Sequence, residues 1–188
     1  MTVEPIRDKK KVQTMQIYLK GRALRDWLLF NIGINTGLRI GDILNLRVCD
    51  IKTDKGNFKE HVTIKEKKTG KVKKFKLNNV SRRYIDEYVK NNPLDYDDYL
   101  FQSRKGENQP ISRVQAYRVL EQAARELNIE SFGTHSMRKT WGYWTYKASK
   151  YNIALIMDTF NHSSQAITLK YIGITQEQKD ELYSIVEF

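Results

Sequence analysis

Along residues 17–37, IYLKGRALRDWLLFNIGINTG, apolar side chains recur at helical spacing: Ala23, Trp27, Phe30 and Ile34 fall four, three and four positions apart. That period predicts a core helix, with Gly37 as its terminator. RIGDILNLRVCDI follows as a short second helix turning Ile40, Ile43, Leu44 and Leu46 inward. The period then changes. HVTIKEKK and KVKKFKL alternate apolar and polar positions on either side of Thr69-Gly70, which predicts a β-hairpin turning there. Helix returns over 81–90, and NNPLDYDD reads as a loop. SRVQAYRVLEQAARELN (112–128) opens on Ser112, a side chain suited to an N-cap, and sets Val114, Tyr117, Leu120, Ala124 and Leu127 on one face. HSMRKTWGYWTYKAS, NIALIMDTF, SSQAITLKY and TQEQKDELYSIVEF read as four further short helices, with Trp141, Tyr143 and Trp144 assigned to the core. The expected fold class is mainly α with one small β-hairpin (α+β).

Composition narrows the class. At 188 residues the chain fits one domain able to bury a core. With 40% hydrophobic and 29% charged residues and only three prolines, a globular chain is expected rather than a disordered one. No apolar run approaches the roughly 20 residues that a bilayer helix needs, so no membrane partner is expected. The start, MTVEPIRDKKKVQTM, is polar and lacks the apolar segment of a secretory signal. Cys49 is the single cysteine, which rules out an internal disulfide and suits a reducing cytoplasm. The net charge is +11, and it is concentrated: Lys59 to Lys76 holds eight lysines against Glu60 and Glu66. Such a field attracts polyanions, DNA or RNA above all. A solvated lysine-rich surface is the plainer alternative.

Several polar residues fall outside the core pattern. Arg39 stands just past the NTG turn, and Lys68 sits at the tip of the basic hairpin. His135 and Arg138, three apart in THSMRKT, share a helix face. His162 precedes Tyr171 by nine positions in FNHSSQAITLKYIGI. Guanidinium forks grip phosphate oxygens and neutralise charge that grows during attack on a phosphodiester. A phenol with an ordinary pKa near 10 is about 0.1% ionised at neutral pH, and surrounding cations are expected to lower that value. A lysine or histidine beside the leaving oxygen can donate a proton. Together the set describes phosphoryl transfer from DNA to a tyrosine, with no metal and no cofactor.

The ordered motifs TGLRIGDILNL, KKTGKVKKFKL, THSMRKTWG and FNHSSQAITLKYIGI resemble the catalytic domain of tyrosine recombinases, the phage-integrase family. The resemblance runs from about Ile17 to Tyr171. It implies a tyrosine recombinase catalytic-domain-like fold and site-specific DNA cleavage and rejoining through a 3′-phosphotyrosyl bond. It assigns Tyr171 as nucleophile, Arg39 and Arg138 to the non-bridging oxygens with a hydrogen bond from His162, Lys68 as proton donor to the 5′-oxygen, and His135 as acid or base. Two positions depart from the pattern. Lys139 stands where a second histidine is usual, and Asn161 replaces the common glycine before His162.

The resemblance implies double-stranded DNA as partner, self-association on it, and a cytoplasmic, nucleoid-associated location. Phosphate contacts are expected from Lys65, Lys67, Lys71, Lys73 and Lys74 of the hairpin and from Arg113 and Arg118. Residues 1–16 are expected as a basic tail or linker and 17–188 as the catalytic domain. No core-binding domain is expected within the chain, which leaves three alternatives: a fragment, a chain working with a separate protein that supplies the DNA clamp, or a remnant whose function has shifted. For the terminal helix, residues 175–188, two placements stand: exchange onto a neighbouring subunit, or packing on its own domain. Rival functions are a non-catalytic DNA-binding regulator with the same fold and a type IB topoisomerase-like relaxation.

Overall fold

The computed structural model describes residues 3–174; the expected terminal helix therefore lies outside the described residues. The stretch 17–37 is not one helix. Asp8 caps α1 (Lys9–Arg22), its carboxylate accepting from the Lys10 amide at 2.7 Å. The chain breaks at Ala23 (φ −160°, ψ 119°) and restarts as α2 (Leu24–Thr36). Ala23 serves both helices: its amide donates to Leu19 O, and its carbonyl accepts from Asp26 and Trp27. Half of the expected tail, residues 9–16, is thus helical, and Met15 within it is fully buried.

α2 is the spine. Residues Asp26–Gly33 are buried all round it, and α1, α5 (Asn79–Asn91), α6 (Arg113–Glu126) and α7 (Thr134–Ala148) pack against it. Between α2 and α5 come two single-turn helices, α3 (Ile40–Ile43) and α4 (Val48–Ile51), then an antiparallel hairpin of β1 (Val62–Lys65) and β2 (Val72–Phe75). Its register sets Val62 opposite Phe75 and Ile64 opposite Lys73, with Gly70 (φ 69°) in the turn, as the alternating pattern predicts.

On α6 the buried face is Ala116, Leu120, Ala123 and Ala124, while Val114 and Tyr117 are exposed, contrary to expectation. The packing favours the small side chains: alanines allow α6 to approach α1, α2 and α7 closely. Ser112 caps the helix as expected, accepting from the Gln115 amide at 3.1 Å.

A second, smaller cluster joins α7 to α8 (Ile153–Phe160) and α9 (Gln165–Tyr171). Ile156, Phe160 and Ile172 form its core, with Trp141 and Tyr171 against it.

Candidate active site

The turn between α2 and α3 sets the first residue. Gly37 ends α2 in the left-handed region (φ 62°, ψ 18°), and a Cβ there would fall 2.5 Å from the Trp141 ring. A side chain is excluded twice over. The turn delivers Arg39, whose Nη1 lies 2.7 Å from Glu66 Oε1. The contact is a close ion pair in which both Arg39 Nη1 and Glu66 Oε1 are buried. Glu66 is 1% exposed. Burial pushes its carboxyl up, but Thr69, Arg39 and Lys73 outweigh that and hold it below the ordinary carboxylate value. Asp42 fastens the same hairpin, accepting from the Lys67 amide at 2.9 Å.

Arg138 reaches the site from α7. It is 2% exposed, its Nη1 donates to Gly37 O and its Nη2 to Phe160 O at 3.2 Å, and its guanidinium lies 4.0 Å over the Phe160 ring. One turn earlier on α7, His135 Nδ1 is 3.2 Å from the Tyr171 hydroxyl. His162 stands with its ring centroid 5.0 Å from that of Tyr171. Its Nδ1 is 3.1 Å from Thr168 Oγ1, and that hydroxyl donates to Ser164 O at 3.0 Å. With its own proton committed to Ser164, Thr168 accepts from His162, so Nδ1 carries the hydrogen and Nε2 is the free nitrogen.

Burial raises the pKa of Tyr171, with Arg138 and then Arg39 opposing. The expectation that cations would lower it is thus corrected: desolvation of the phenolate is the larger effect, and the phenol holds its proton. Both histidines lie below their ordinary value, through burial first and then Arg138. A neutral His135 can accept the phenol proton at Nδ1.

Lys68 is exposed on the hairpin loop, which is closed by Glu66 N to Lys71 O at 2.9 Å and Gly70 N to Glu66 O at 2.8 Å. Its charge is among those that depress His135, after burial, Arg138 and Lys139. Lys65, Lys67, Lys71 and Lys74 are exposed beside it. Lys73 differs: it is half-buried, and its ammonium donates to Thr159 O at 3.0 Å. It turns inward, beside Arg138, Glu66 and Arg39, whereas the other hairpin lysines expected to meet phosphate are exposed. Arg113 and Arg118 are exposed on α6, and the Arg113 guanidinium lies over Gly41, close to the Arg39 turn.

Both departures have structural counterparts. Asn161 adopts the left-handed conformation (φ 55°, ψ 42°) that a glycine would take, one that asparagine tolerates. Lys139 Nζ donates to Val3 O at 2.7 Å and lies 5.3 Å over the Tyr171 ring. Glu66, Asp42 and Thr168 were not singled out by sequence reasoning. An acid within a lysine-rich hairpin, Glu66, was the one signal available.

A family model described as the phage integrase family matches residues 7–178. The chain belongs to the phage integrase family. Site-specific recombination of DNA is its functional class. It is 40% identical over 183 residues to the probable integrase/recombinase YoeC of Bacillus subtilis, covering 97% of this chain and 96% of that one. It is 25% identical over 150 residues to the tyrosine recombinase XerH of Campylobacter jejuni, where the match spans 77% of this chain and 40% of the relative. Among solved structures, XerA recombinase superposes with a TM-score of 0.76 at 16% identity, over 100% of this chain and 68% of that one. XerH bound to a palindromic difH substrate, in a post-cleavage complex, gives 0.74 at 19% identity, over 95% and 51%. The chain thus spans nearly all of YoeC but only 40% of the XerH of Campylobacter jejuni. Among the described residues no helix is long and apolar enough to cross a membrane.

Proposed function

We propose that this chain binds double-stranded DNA and cleaves and rejoins it through a covalent bond between Tyr171 and a 3′-phosphate. The observation that carries the reading is the 3.2 Å contact of the Tyr171 hydroxyl with His135 Nδ1, with the Arg138 and Arg39 charges acting on the same phenol. Tyr171 Oη attacks the phosphorus, and its proton passes to His135. The bond from phosphorus to the 5′-oxygen breaks, and Lys68, free on its exposed loop, protonates the departing oxygen. Arg39 and Arg138 hold the non-bridging oxygens, and His162 faces them with Nε2. The ester keeps the energy of the broken bond, so a 5′-hydroxyl can attack it and reverse the step without a nucleotide or a metal ion. Rejoining to a different strand needs a second active centre, which calls for self-association on DNA. Lys65, Lys67, Lys71, Lys74, Arg113 and Arg118 would grip flanking phosphates.

The test uses duplexes selected for binding from a random pool and nicked so that cleavage releases a short fragment. A covalent protein–DNA band on a denaturing gel, absent for Tyr171→Phe, is expected. A band that persists in Tyr171→Phe, or bound DNA that never becomes covalent, would overturn the reading and favour a binding protein with the recombinase fold.

A further inference from the structure

Residues 3–7, VEPIR, form a strap without regular secondary structure that ties α7 to the end of α9. Glu4 N donates to Ser131 O at 2.8 Å, just ahead of α7. Along α7, Lys139 Nζ donates to Val3 O at 2.7 Å, Ile6 N donates to Thr140 Oγ1 at 2.8 Å, and Trp144 Nε1 donates to Ile6 O at 3.0 Å. The strap ends on Arg7. Its Nη2 donates to Gly173 O at 2.8 Å and to Glu4 Oε2 at 2.8 Å.

Two glycines leave room for the strap. A Cβ on Gly133 would lie 2.9 Å from Val3 Cγ1. One on Gly173 would lie 2.6 Å from Arg7 Nη2 and 2.9 Å from Pro5 Cδ, and Gly173 also holds a positive φ of 78°. The backbone is therefore shaped to admit the strap at both ends.

What the strap joins is informative. α7 carries His135 and Arg138, whereas α9 carries Tyr171 at its last position. With only seven residues, α9 is far shorter than the roughly 12–15 that let a helix stand alone in water. Its placement must come from outside itself. Thr168 and Ile172 anchor its inner side in the small cluster. Beyond the nucleophile, Gly173 N bonds Lys170 O and Ile174 N bonds Leu169 O, and the Gly173 carbonyl is taken by Arg7.

We propose that Arg7 is a positioning residue for the nucleophile: by tying Gly173 to a strap anchored on α7, it holds the Tyr171 phenol against His135. The proposal rests on Tyr171 being the nucleophile. It gives the N-terminal segment a task in the reaction and gives Lys139 one as well, since Lys139 binds the strap and lies against the Tyr171 ring.

Arg7→Ala and Arg7→Lys in the whole 188-residue chain test it, with two readouts. In Arg7→Ala, hydrogen exchange of amides 165–174 is expected to rise about ten-fold while α2 amides keep wild-type rates. Formation of the covalent adduct at saturating DNA is expected to slow about ten-fold with Kd for DNA unchanged. Arg7→Lys, which keeps a charged donor, should recover most of both. Unchanged exchange over 165–174, a uniform rise that includes α2, or a rate loss that merely follows weakened DNA binding would each overturn the proposal. If wild-type protein forms no Tyr171-dependent adduct, the catalytic reading fails on its own, and the exchange readout still decides whether Arg7 holds α9.

Discussion

Replacing Lys73 by methionine probes the electrostatics of the site. Lys73 lies on β2 within reach of Arg39, Arg138, Glu66 and Asp42. Burial first, then Arg138 and Arg39, lower its pKa from 10.5 to about 8, while Glu66 and Asp42 oppose the shift. The unfolded chain holds this proton more tightly than the folded one. From about pH 8 to 10.5 the unfolded state therefore binds more protons, and stability climbs with pH. Below that window the penalty is fully present, about 3 kcal/mol at most for a shift of this size. The charged hydrogen bond to Thr159 O offsets about 1.5 kcal/mol of it. Lys73→Met is therefore expected to stabilise the protein at pH 7 by about 1.5 kcal/mol, with Tm rising about 3–6 °C. Urea denaturation from pH 7 to 10.5 is the assay, and the advantage of the variant should shrink across that range. A variant less stable than wild type at pH 7, or a difference that does not change with pH, would refute the reasoning. The same variant should also bind DNA more weakly, because a phosphate beside Lys73 would relieve the crowding of cations there.

Two further outcomes follow from the same electrostatics. In the proposed reaction His162 would offer Nε2 to the phosphate, and with Nδ1–H committed to Thr168 it could donate there only as the imidazolium. Free, it lies below its ordinary value of 6.5, through burial, Arg138 and Arg39. An anionic phosphate raises that pKa, so DNA binding should take up protons and weaken as pH rises through the interval between the free and bound values. Calorimetry in buffers of different ionisation enthalpy measures the uptake, and His162→Asn should reduce it, leaving the share of His135; equal uptake in both proteins would contradict the assignment. Glu66→Gln removes the charge that holds Arg39 to the hairpin. It should lower stability by about 2 kcal/mol, or about 4–8 °C in Tm, and slow adduct formation; thermal denaturation that matches wild type would show that the pair carries no such weight.

Periodicity and motif order carried much of this protein in plain view. The helical repeat in α2, the alternation around Thr69-Gly70 and the Ser112 cap are local properties, written in neighbouring residues and realised where they fall. Arg39, His135, Arg138, His162 and Tyr171 were nominated from short motifs, and the fold gathers them around the Tyr171 phenol. Tertiary structure decided what depends on distant partners. The break at Ala23 and the buried alanine face of α6 follow from packing against other helices, which period alone cannot rank. Glu66 and Lys73 look like ordinary hairpin residues until folding buries them beside Arg39 and Arg138. The direction of the Tyr171 shift turned on the same point, since residue types reveal the neighbouring cations but only the fold fixes how much water the phenol loses. Arg7 reaches Gly173 across 166 positions of sequence, a contact that exists only because the strap and the end of α9 both pack beside α7.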